Sequence, residues 1–203
     1  MTTNYQKYLE RKRQKGEKKK TTTRPGNASW MAQQIALAAS GLVRDCLVPE
    51  TLFEKGLGNL VFSRSLPDGR IALAMILLDV YCLGVKNAFF TIIERDEYNR
   101  RLSGWIEAER LRPMSPACFR KLVEGAVAYA RELGLEPHAD YAQARQIFGD
   151  LEAADCTENF EYGHEGKPFY ISGPNETTSQ AKAIVEKLRQ RMGEGNFEFL
   201  IVE

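Results

Sequence analysis

The chain of 203 residues is 43% hydrophobic, which suffices for one filled core but is short for two independent ones. Residues 1–26 carry nine Lys and Arg against two Glu, a charge of +7, and this leaves 19 basic and 25 acidic residues, a charge of −6, for residues 27–203. The longest apolar run, residues 71–85, is shorter than the ~20 residues of a membrane span, and the N-terminus lacks the apolar stretch of a secretory signal. We therefore expect a cytoplasmic protein without a membrane partner.

The first 26 residues are predicted to form a disordered basic arm, because they hold too few apolar side chains to offset the entropy of ordering them. Residues 27–203 are predicted to form a single domain. Any contact with RNA, DNA or a ribosome should use the arm, although such charge runs also serve only as solubilising extensions. The candidate phosphate contacts are Lys7, Arg11, Lys12, Arg13, Lys15, Lys18, Lys19, Lys20 and Arg24.

The first elements of the domain are predicted from apolar spacing and turn residues. Residues 28–40 hold apolar side chains at helical spacing before Gly41, and this pattern predicts a helix. Residues 42–48 predict a strand that ends at Pro49, and residues 50–58 predict a short helical turn.

A β-hairpin is predicted at the centre of the core. Residues 59–65 form its first strand, Pro67 and Gly69 are suited to a chain reversal, and residues 71–80 are apolar on both faces. A buried helix would also explain the second segment, because Ala, Leu and Met are good helix formers. A strand that is covered on both sides is the preferred interpretation.

The middle of the chain predicts three helices. Residues 94–112 are dense in charge and predict one broken surface helix. Ser115 can cap the next helix, Pro116 suits its first position, and apolar residues at helical spacing continue as far as Leu133. Residues 139–148 predict a further helix, which would form a helical hairpin with the one before it.

The last third of the chain predicts a second β-hairpin, a helix and a strand. Residues 158–162 and 167–171 flank a Gly-containing turn and would be the strands of this hairpin. Residues 176–192 predict a helix with an ordinary capped start, which is favoured over an anion site, and residues 197–202 predict a strand. The expected fold class is α+β, with a mostly antiparallel sheet built from two β-hairpins and packed by about five helices.

The four cysteines, Cys46, Cys82, Cys118 and Cys156, are widely spaced along the chain. No pair has the spacing of a zinc knuckle or of a redox motif, so we expect reduced thiols. The chain has only two histidines, and a zinc site would need ligands from distant segments. No metal and no other cofactor is therefore expected.

Three segments stand out when the chain is read as a whole: Leu-Leu-Asp-Val-Tyr-Cys-Leu-Gly-Val-Lys-Asn-Ala-Phe-Phe at 77–90, Leu-Gly-Leu-Glu-Pro-His-Ala-Asp-Tyr at 133–141, and Gly-Lys-Pro-Phe-Tyr-Ile-Ser-Gly-Pro at 166–174. Together they resemble an uncharacterised family of bacterial proteins of similar size. The resemblance covers most of the chain after the arm. It implies no activity, cofactor or site.

Asp79 is a candidate catalytic residue, because a carboxylate within an apolar run either faces a polar pocket or is hydrogen-bonded, with a shifted pKa. It can equally cap the loop around Gly84 or pair with an arginine at the end of the sheet, and this structural role is favoured. Cys82 lies three residues further on, which on a strand is the opposite face.

His138 and Asp140 form the second candidate group, since a His-x-Asp pair can bind a metal or act as a general base with its orienting acid. Both residues also lie where a helix is predicted to begin, and capping is the favoured explanation. A triad of Cys82, His138 and Asp140 is a further alternative, although triads are recognised by geometry and not by spacing.

Two functional hypotheses follow from these features. The preferred one is a non-enzymatic intracellular interaction protein, whose basic arm contacts nucleic acid or a ribosome and whose acidic body binds a protein partner. The alternative is a small metal-assisted hydrolase or nuclease that uses Asp79, His138 and Asp140. The alternative requires these three side chains to meet in one pocket.

Overall fold

The computed structural model describes residues 25–174 and 176–201. The nine cations of the arm, and the predicted disorder of residues 1–24, lie outside the described residues. Residues 25 and 26, which were also assigned to the disordered arm, are helical, so this part of the prediction is wrong. The chain divides into two units, residues 1–34 and residues 35–203. Apart from the first turns of helix α1, the description below concerns the second unit.

The described residues contain six α-helices and seven strands, and the fold class is α+β. None of the helices in this part of the chain has the length and apolar character needed to cross a membrane. In chain order the elements are α1 Pro25–Ala39, β1 Leu42–Pro49, α2 Leu52–Lys55, β2 Leu57–Ser65, β3 Ile71–Asp79, β4 Gly84–Ile93, α3 Arg95–Glu109, β5 Leu111–Pro113, α4 Pro116–Glu132, α5 Tyr141–Ala144, β6 Phe169–Ile171, α6 Thr178–Met192 and β7 Glu198–Leu200.

Five antiparallel strands form the main sheet, in the spatial order β4-β3-β2-β1-β5. Strands β2 and β3 pair along their whole length, from Leu57 opposite Asp79 to Ser65 opposite Ile71. The turn between them is closed by Gly69, whose φ of 88° is a conformation that residues with a Cβ rarely adopt. The strand interpretation of residues 71–80 is therefore confirmed, and the helical alternative is wrong.

Both faces of the sheet are covered for most of their length, which explains why β3 is apolar on both sides. On one face, the ring of Phe62 meets the rings of Phe119 from α4 and Phe148 edge-on, with centroids 5.3 Å away in each case. On the other face, α3 packs through the fully buried Tyr98. The sheet is thus the middle layer between α3 on one face and α4 with its neighbouring segments on the other.

Helix α4 agrees with its prediction in every local feature. The Ser115 hydroxyl accepts a hydrogen bond from the Cys118 N–H at 3.2 Å, and Pro116 occupies the first turn. The apolar residues at helical spacing, among them Leu122 and Ala126, are buried against the sheet. Cap, proline and apolar stripe together determine where this helix starts and which side it buries.

The predicted second β-hairpin is wrong. Residues 158–162 contain no strand, and His164 and Lys167 form only an isolated bridge. Strand β6 pairs instead with β7, in parallel, in a separate two-stranded sheet. Among the aromatic side chains that suggested a strand, Tyr162 packs on helix α4, where its hydroxyl donates to the Leu122 carbonyl oxygen at 3.0 Å. Phe160 instead stacks on Phe53 of α2.

Two other predictions need correction. Within the charged segment 94–112, Arg95–Glu109 form a single unbroken helix, α3. The helix is followed by Arg110 in a left-handed conformation, and Leu111–Pro113 form the edge strand β5. The helix predicted for residues 139–148 is one α-helical turn, α5, followed by the 3-10 helix Arg145–Phe148. Strand β4 was not predicted at all, although it is the longest strand of the sheet.

The expectation of four reduced thiols is wrong for one pair. Cys118 and Cys156 form a disulfide, with their Cα atoms 4.9 Å apart. Cys46 and Cys82 are free and buried. The sequence separation of 38 residues concealed this contact, because only the fold brings the start of α4 next to the segment that contains Cys156.

One buried charge joins distant parts of the fold. The side chain of Arg64, on β2, is almost inaccessible and donates hydrogen bonds to three backbone carbonyl oxygens. These belong to Gly41 at 2.7 Å, Ile147 at 2.8 Å and Phe148 at 2.6 Å. Arg64 therefore connects the turn after α1 with the 3-10 helix beside α4.

Candidate functional site

A small cavity of about 140 Å³ lies at one end of the main sheet, where β2, β3 and β4 meet strand β6 and the loop after it. Its wall combines an acid, two lysines and several aromatic or aliphatic side chains. The lining residues are Lys55, Gly56, Leu57, Asp79, Tyr81, Lys86, Phe169, Ile171, Ser172, Gly173 and Pro174.

Asp79 lines this cavity and is buried, with only 6% of its surface exposed. Its Oδ1 atom accepts hydrogen bonds from the backbone N–H groups of Tyr81 at 2.9 Å and Cys82 at 2.8 Å. The interpretation that Asp79 caps the loop before β4 is therefore confirmed. Burial raises its pKa to about 6, although the Cys82 amide and the charge of Lys86 act in the opposite direction.

Lys86 enters the cavity because of an irregularity in β4. Leu78 pairs with Val85 and Leu77 pairs with Asn87, so Lys86 is an extra residue that the strand accommodates as a bulge. Its Nζ atom lies 3.0 Å from the Glu176 carboxylate, and both side chains are largely buried. The bulge thus directs a cation towards the loop that leads into α6.

Glu176 is held from two sides. One carboxylate oxygen pairs with Lys86, and the other accepts a short hydrogen bond from the Tyr170 hydroxyl. Burial alone would raise the pKa of Glu176, but the hydrogen bonds from Tyr170 and Lys86 keep it below its ordinary value. This network ties the end of β6 and the start of α6 to the edge of the main sheet.

The aromatic wall of the cavity is fixed by close packing around Gly56. A Cβ atom at this position would lie 2.1 Å from the Tyr81 ring, and the φ of Gly56 is +74°. The Tyr81 hydroxyl donates to the carbonyl oxygens of Phe53 at 2.9 Å and Glu54 at 2.8 Å. The ring is therefore anchored by its hydroxyl and packed against Gly56, and it cannot swing away without breaking these bonds.

His138 and Asp140 are not part of the cavity wall. The His138 Nδ1 atom accepts a hydrogen bond from the Asp140 N–H at 3.3 Å and lies 3.8 Å from the Asp140 carboxylate, and both side chains face solvent. The backbone N–H of His138 donates to the Val85 carbonyl oxygen on β4. The structure brings these two residues together, but it does not bring Asp79 to them in the cavity.

Neither a reactive thiol nor a metal-binding group of side chains is found near the cavity in the described part of the chain. The thiol of Cys82 is fully buried, and burial raises its pKa, which leaves it far from the thiolate form that a nucleophile needs. Among residues 25–174 and 176–201, no group of three His, Cys, Asp or Glu side chains is arranged to hold a metal ion.

A second surface feature lies on the sheet face that α3 covers only in part. We call it the open end of the sheet and define it as Leu57, Met75, Leu77 and Phe89, which share this face by strand register. Leu57 is 41% exposed and Phe89 is 43% exposed, while Met75 and Leu77 are half-buried. Apolar side chains that lie together at the surface commonly mark an interaction site.

Sequence reasoning missed both Lys86 and Phe89, because β4 was not recognised as a strand. The available signal was the run of aromatic and β-branched residues from Phe89 to Ile93, which is typical of a strand. Comparison with known proteins adds no further assignment: no family model, curated protein or solved structure matches this chain.

The buried charge of Asp79 leads to a prediction for stability. Its pKa rises from an ordinary value of 3.8 to about 6 on folding, so between these two values the folded state keeps a proton that the unfolded state has lost. Stability should therefore fall as the pH rises through this window, by about 3 kcal/mol in all. Asp79→Asn keeps an oxygen acceptor without the charge, and we expect it to match the wild type near pH 4 and to be more stable at pH 7.5.

Urea unfolding of both proteins at the two pH values measures this difference. Asp68→Asn is a suitable control, because a hydrogen bond from Arg70 lowers the pKa of Asp68. Removing the Asp68 charge should therefore lower stability at pH 7.5, which is the opposite of the effect expected for Asp79→Asn. If the stability of Asp79→Asn relative to wild type does not change with pH, ionisation of the buried Asp79 carboxyl does not lower the stability of the folded protein, and the prediction is wrong.

Proposed function

We propose that this protein is a non-enzymatic intracellular interaction protein, in which the basic arm contacts nucleic acid or a ribosome and the acidic body binds a protein partner. The observation that carries the proposal is the division of charge, +7 in residues 1–26 against −6 in the rest of the chain. A polyanion is attracted to the arm and repelled by the body, so the arm is the part that should bind phosphates.

The surface of the body supports the second half of the proposal. Leu57 and Phe89 are large apolar side chains that stay accessible at the open end of the sheet, beside Met75 and Leu77. Covering them with a partner would remove apolar surface from water, which is the main favourable contribution in protein association. The cavity network around Asp79 and Lys86 holds the neighbouring loop in place and so supports this surface.

We expect fluorescence anisotropy with labelled RNA and DNA to show binding by the full chain and its loss in a version that starts at Asn27. A matched pair of substitutions refines the test. Lys19→Gln with Lys20→Gln should weaken binding, because it removes two arm cations, whereas Lys182→Gln with Lys187→Gln removes two exposed cations of α6 and should have little effect. Equal affinity of the full chain and the shortened version would overturn the role of the arm.

The proposed location is the cytoplasm, where nucleic acid and ribosomes are found. A disulfide is uncommon in that compartment, because glutathione and thioredoxin keep thiols reduced. The redox state of the Cys118–Cys156 pair in intact cells, measured by rapid alkylation, is therefore an informative check on this location.

A metal-assisted hydrolase or nuclease is the second candidate, and one observation favours it: Asp79 lines a cavity and has a raised pKa. It would require His138 and Asp140, which lie outside the cavity wall, to approach Asp79 when a substrate binds. Hydrolysis of a phosphodiester chromogen by the wild type, and its loss in both Asp79→Asn and His138→Ala, would support this candidate.

A further inference from the structure

Strand β4 is an edge of the main sheet and is paired on one side only, with β3. Among the described residues, one backbone hydrogen bond joins β4 to another segment, from the His138 N–H to the Val85 carbonyl oxygen. The bulge at Lys86 lies next to this covered beginning of the strand. The backbone groups of residues 87–93 that face away from β3 therefore form a row with no hydrogen-bond partner in the described part of the chain.

The side chains of residues 87–93 do not protect this edge. The segment reads Asn-Ala-Phe-Phe-Thr-Ile-Ile and contains no charge, no proline and no glycine. Edge strands usually carry lysine, proline or a bulge, which prevent pairing with another chain. Aromatic and β-branched residues favour strand pairing, and Phe89 is 43% exposed at this edge. The segment is thus suited to accept a further strand.

The opposite edge of the sheet differs in each of these respects. Strand β5 has three residues, Leu111–Pro113, and it includes a proline and the exposed Arg112. Proline has no N–H group to donate, and a strand this short offers few hydrogen bonds. Pairing of a β4 edge with a β5 edge, which would extend into fibres, is therefore disfavoured relative to pairing between two β4 edges.

We infer that the outer edge of β4 pairs antiparallel with β4 of a second copy of this chain, which joins the two five-stranded sheets into one. The inference rests on that part of the proposed function which gives the body a protein partner, and it does not depend on the arm. A two-fold axis near Phe90, the middle of residues 87–93, would place Phe89 beside Thr91 of the second copy, on the same face of the sheet. No like charges meet across such an axis, because residues 87–93 contain no charged side chain. The nearest cation before them, Lys86, lies outside the paired segment and forms an ion pair with Glu176.

Self-pairing would also place two basic arms in one particle. Two linked binding segments act with a raised effective concentration on a nucleic acid that is long enough to reach both. We therefore expect the paired form to bind a long RNA or DNA ~10-fold or more tightly than a version that cannot pair, while a fragment too short for two arms should show little difference.

Analytical ultracentrifugation of the full chain over a concentration series tests the pairing. We expect a species with twice the chain mass, which is lost in Phe89→Lys because the new cations would lie near each other at the axis. Ile106→Lys is the matched control, since Ile106 is 42% exposed, nearly the same as Phe89, and belongs to α3 and not to the edge strand. Thermal unfolding of both variants establishes that they are folded.

Hydrogen exchange identifies the surface that is used. In the paired species, amides within residues 87–93 that face outwards should exchange more slowly than after dilution or in Phe89→Lys. A single-chain mass at all concentrations, a mass that grows beyond two chains, or a dimer without protection in residues 87–93 would each overturn the inference. A single-chain protein that still binds nucleic acid through its arm would overturn the pairing alone and leave the role of the arm intact.

Discussion

Replacing Arg64 with methionine is expected to destabilise the protein by about 4 kcal/mol or more. The guanidinium donates to the carbonyl oxygens of Gly41, Ile147 and Phe148, all at 2.8 Å or less, and only 3% of Arg64 is exposed. Methionine has a similar length but no donor, so three buried acceptors would lose their partner, at a cost of about 1–3 kcal/mol each. The expected loss of stability comes from carbonyl oxygens left without a hydrogen-bond donor, and not from a smaller side-chain volume.

Urea unfolding at pH 7 measures this loss, and Arg44→Met provides the control. Arg44 lies on the adjacent strand β1 and hydrogen-bonds to Asn99 at 3.2 Å, but at an exposed position, so its replacement should cost below about 1 kcal/mol. If Arg64→Met were as mild as Arg44→Met, the three carbonyl contacts would not contribute as described.

Loss of the Cys118–Cys156 disulfide is expected to destabilise the protein by a similar amount. The bond closes a loop of 38 residues, and release of a loop of that size gives the unfolded chain additional entropy worth about 4 kcal/mol. For a chain of this length the melting temperature should fall by roughly 8–16 °C when a reductant is added. The segment with Cys156 would then be held to α4 mainly by hydrogen bonds from Lys121 to the carbonyl oxygens of Cys156 and Glu158.

Thermal unfolding with and without dithiothreitol measures the effect, and the double variant Cys118→Ser, Cys156→Ser is the control. The double variant should melt near the temperature of the reduced wild type and should not respond to the reductant. A thiol assay on the denatured, unreduced protein should find the two free thiols of Cys46 and Cys82. Four reactive thiols, with no response to the reductant, would contradict the presence of this bond.

Elements with strong local signals were predicted well. Helix α4 has its cap at Ser115, its proline at position 116 and a continuous apolar stripe, and each of these acts within a few residues of the chain. The paired strands β2 and β3 likewise share a short turn that contains Gly69. For such elements the sequence holds nearly all the information that the backbone needs.

Elements that depend on distant partners were predicted poorly. In β4, the bulge at Lys86 interrupts the alternation of apolar residues, so the period of two is lost where the strand begins. Strand β6 pairs with β7 only after the chain has passed through α6, and the disulfide joins residues that are 38 positions apart. None of these contacts has a signature in the spacing of nearby residues.

The candidate site shows the same division. That Asp79 is buried and caps a loop was predictable, because a carboxylate in an apolar run needs hydrogen bonds close by. Its neighbours in the cavity could not be predicted, since Lys86 and Phe169 reach it from segments that only the tertiary fold brings together. The exposure of Phe89 was hidden for the same reason, as it depends on how far α3 extends over the sheet.

The salt dependence of nucleic-acid binding tests the central claim, which is that the cations of the arm contact phosphates. Each phosphate contact releases a bound counterion and steepens the dependence of log K on log salt by about 0.9 on duplex DNA. An arm that uses most of its nine cations should give the full chain a slope of roughly −5 or steeper, and the version from Asn27 should show no measurable binding. A slope near zero, or the same slope for both versions, would contradict the proposed role of the arm.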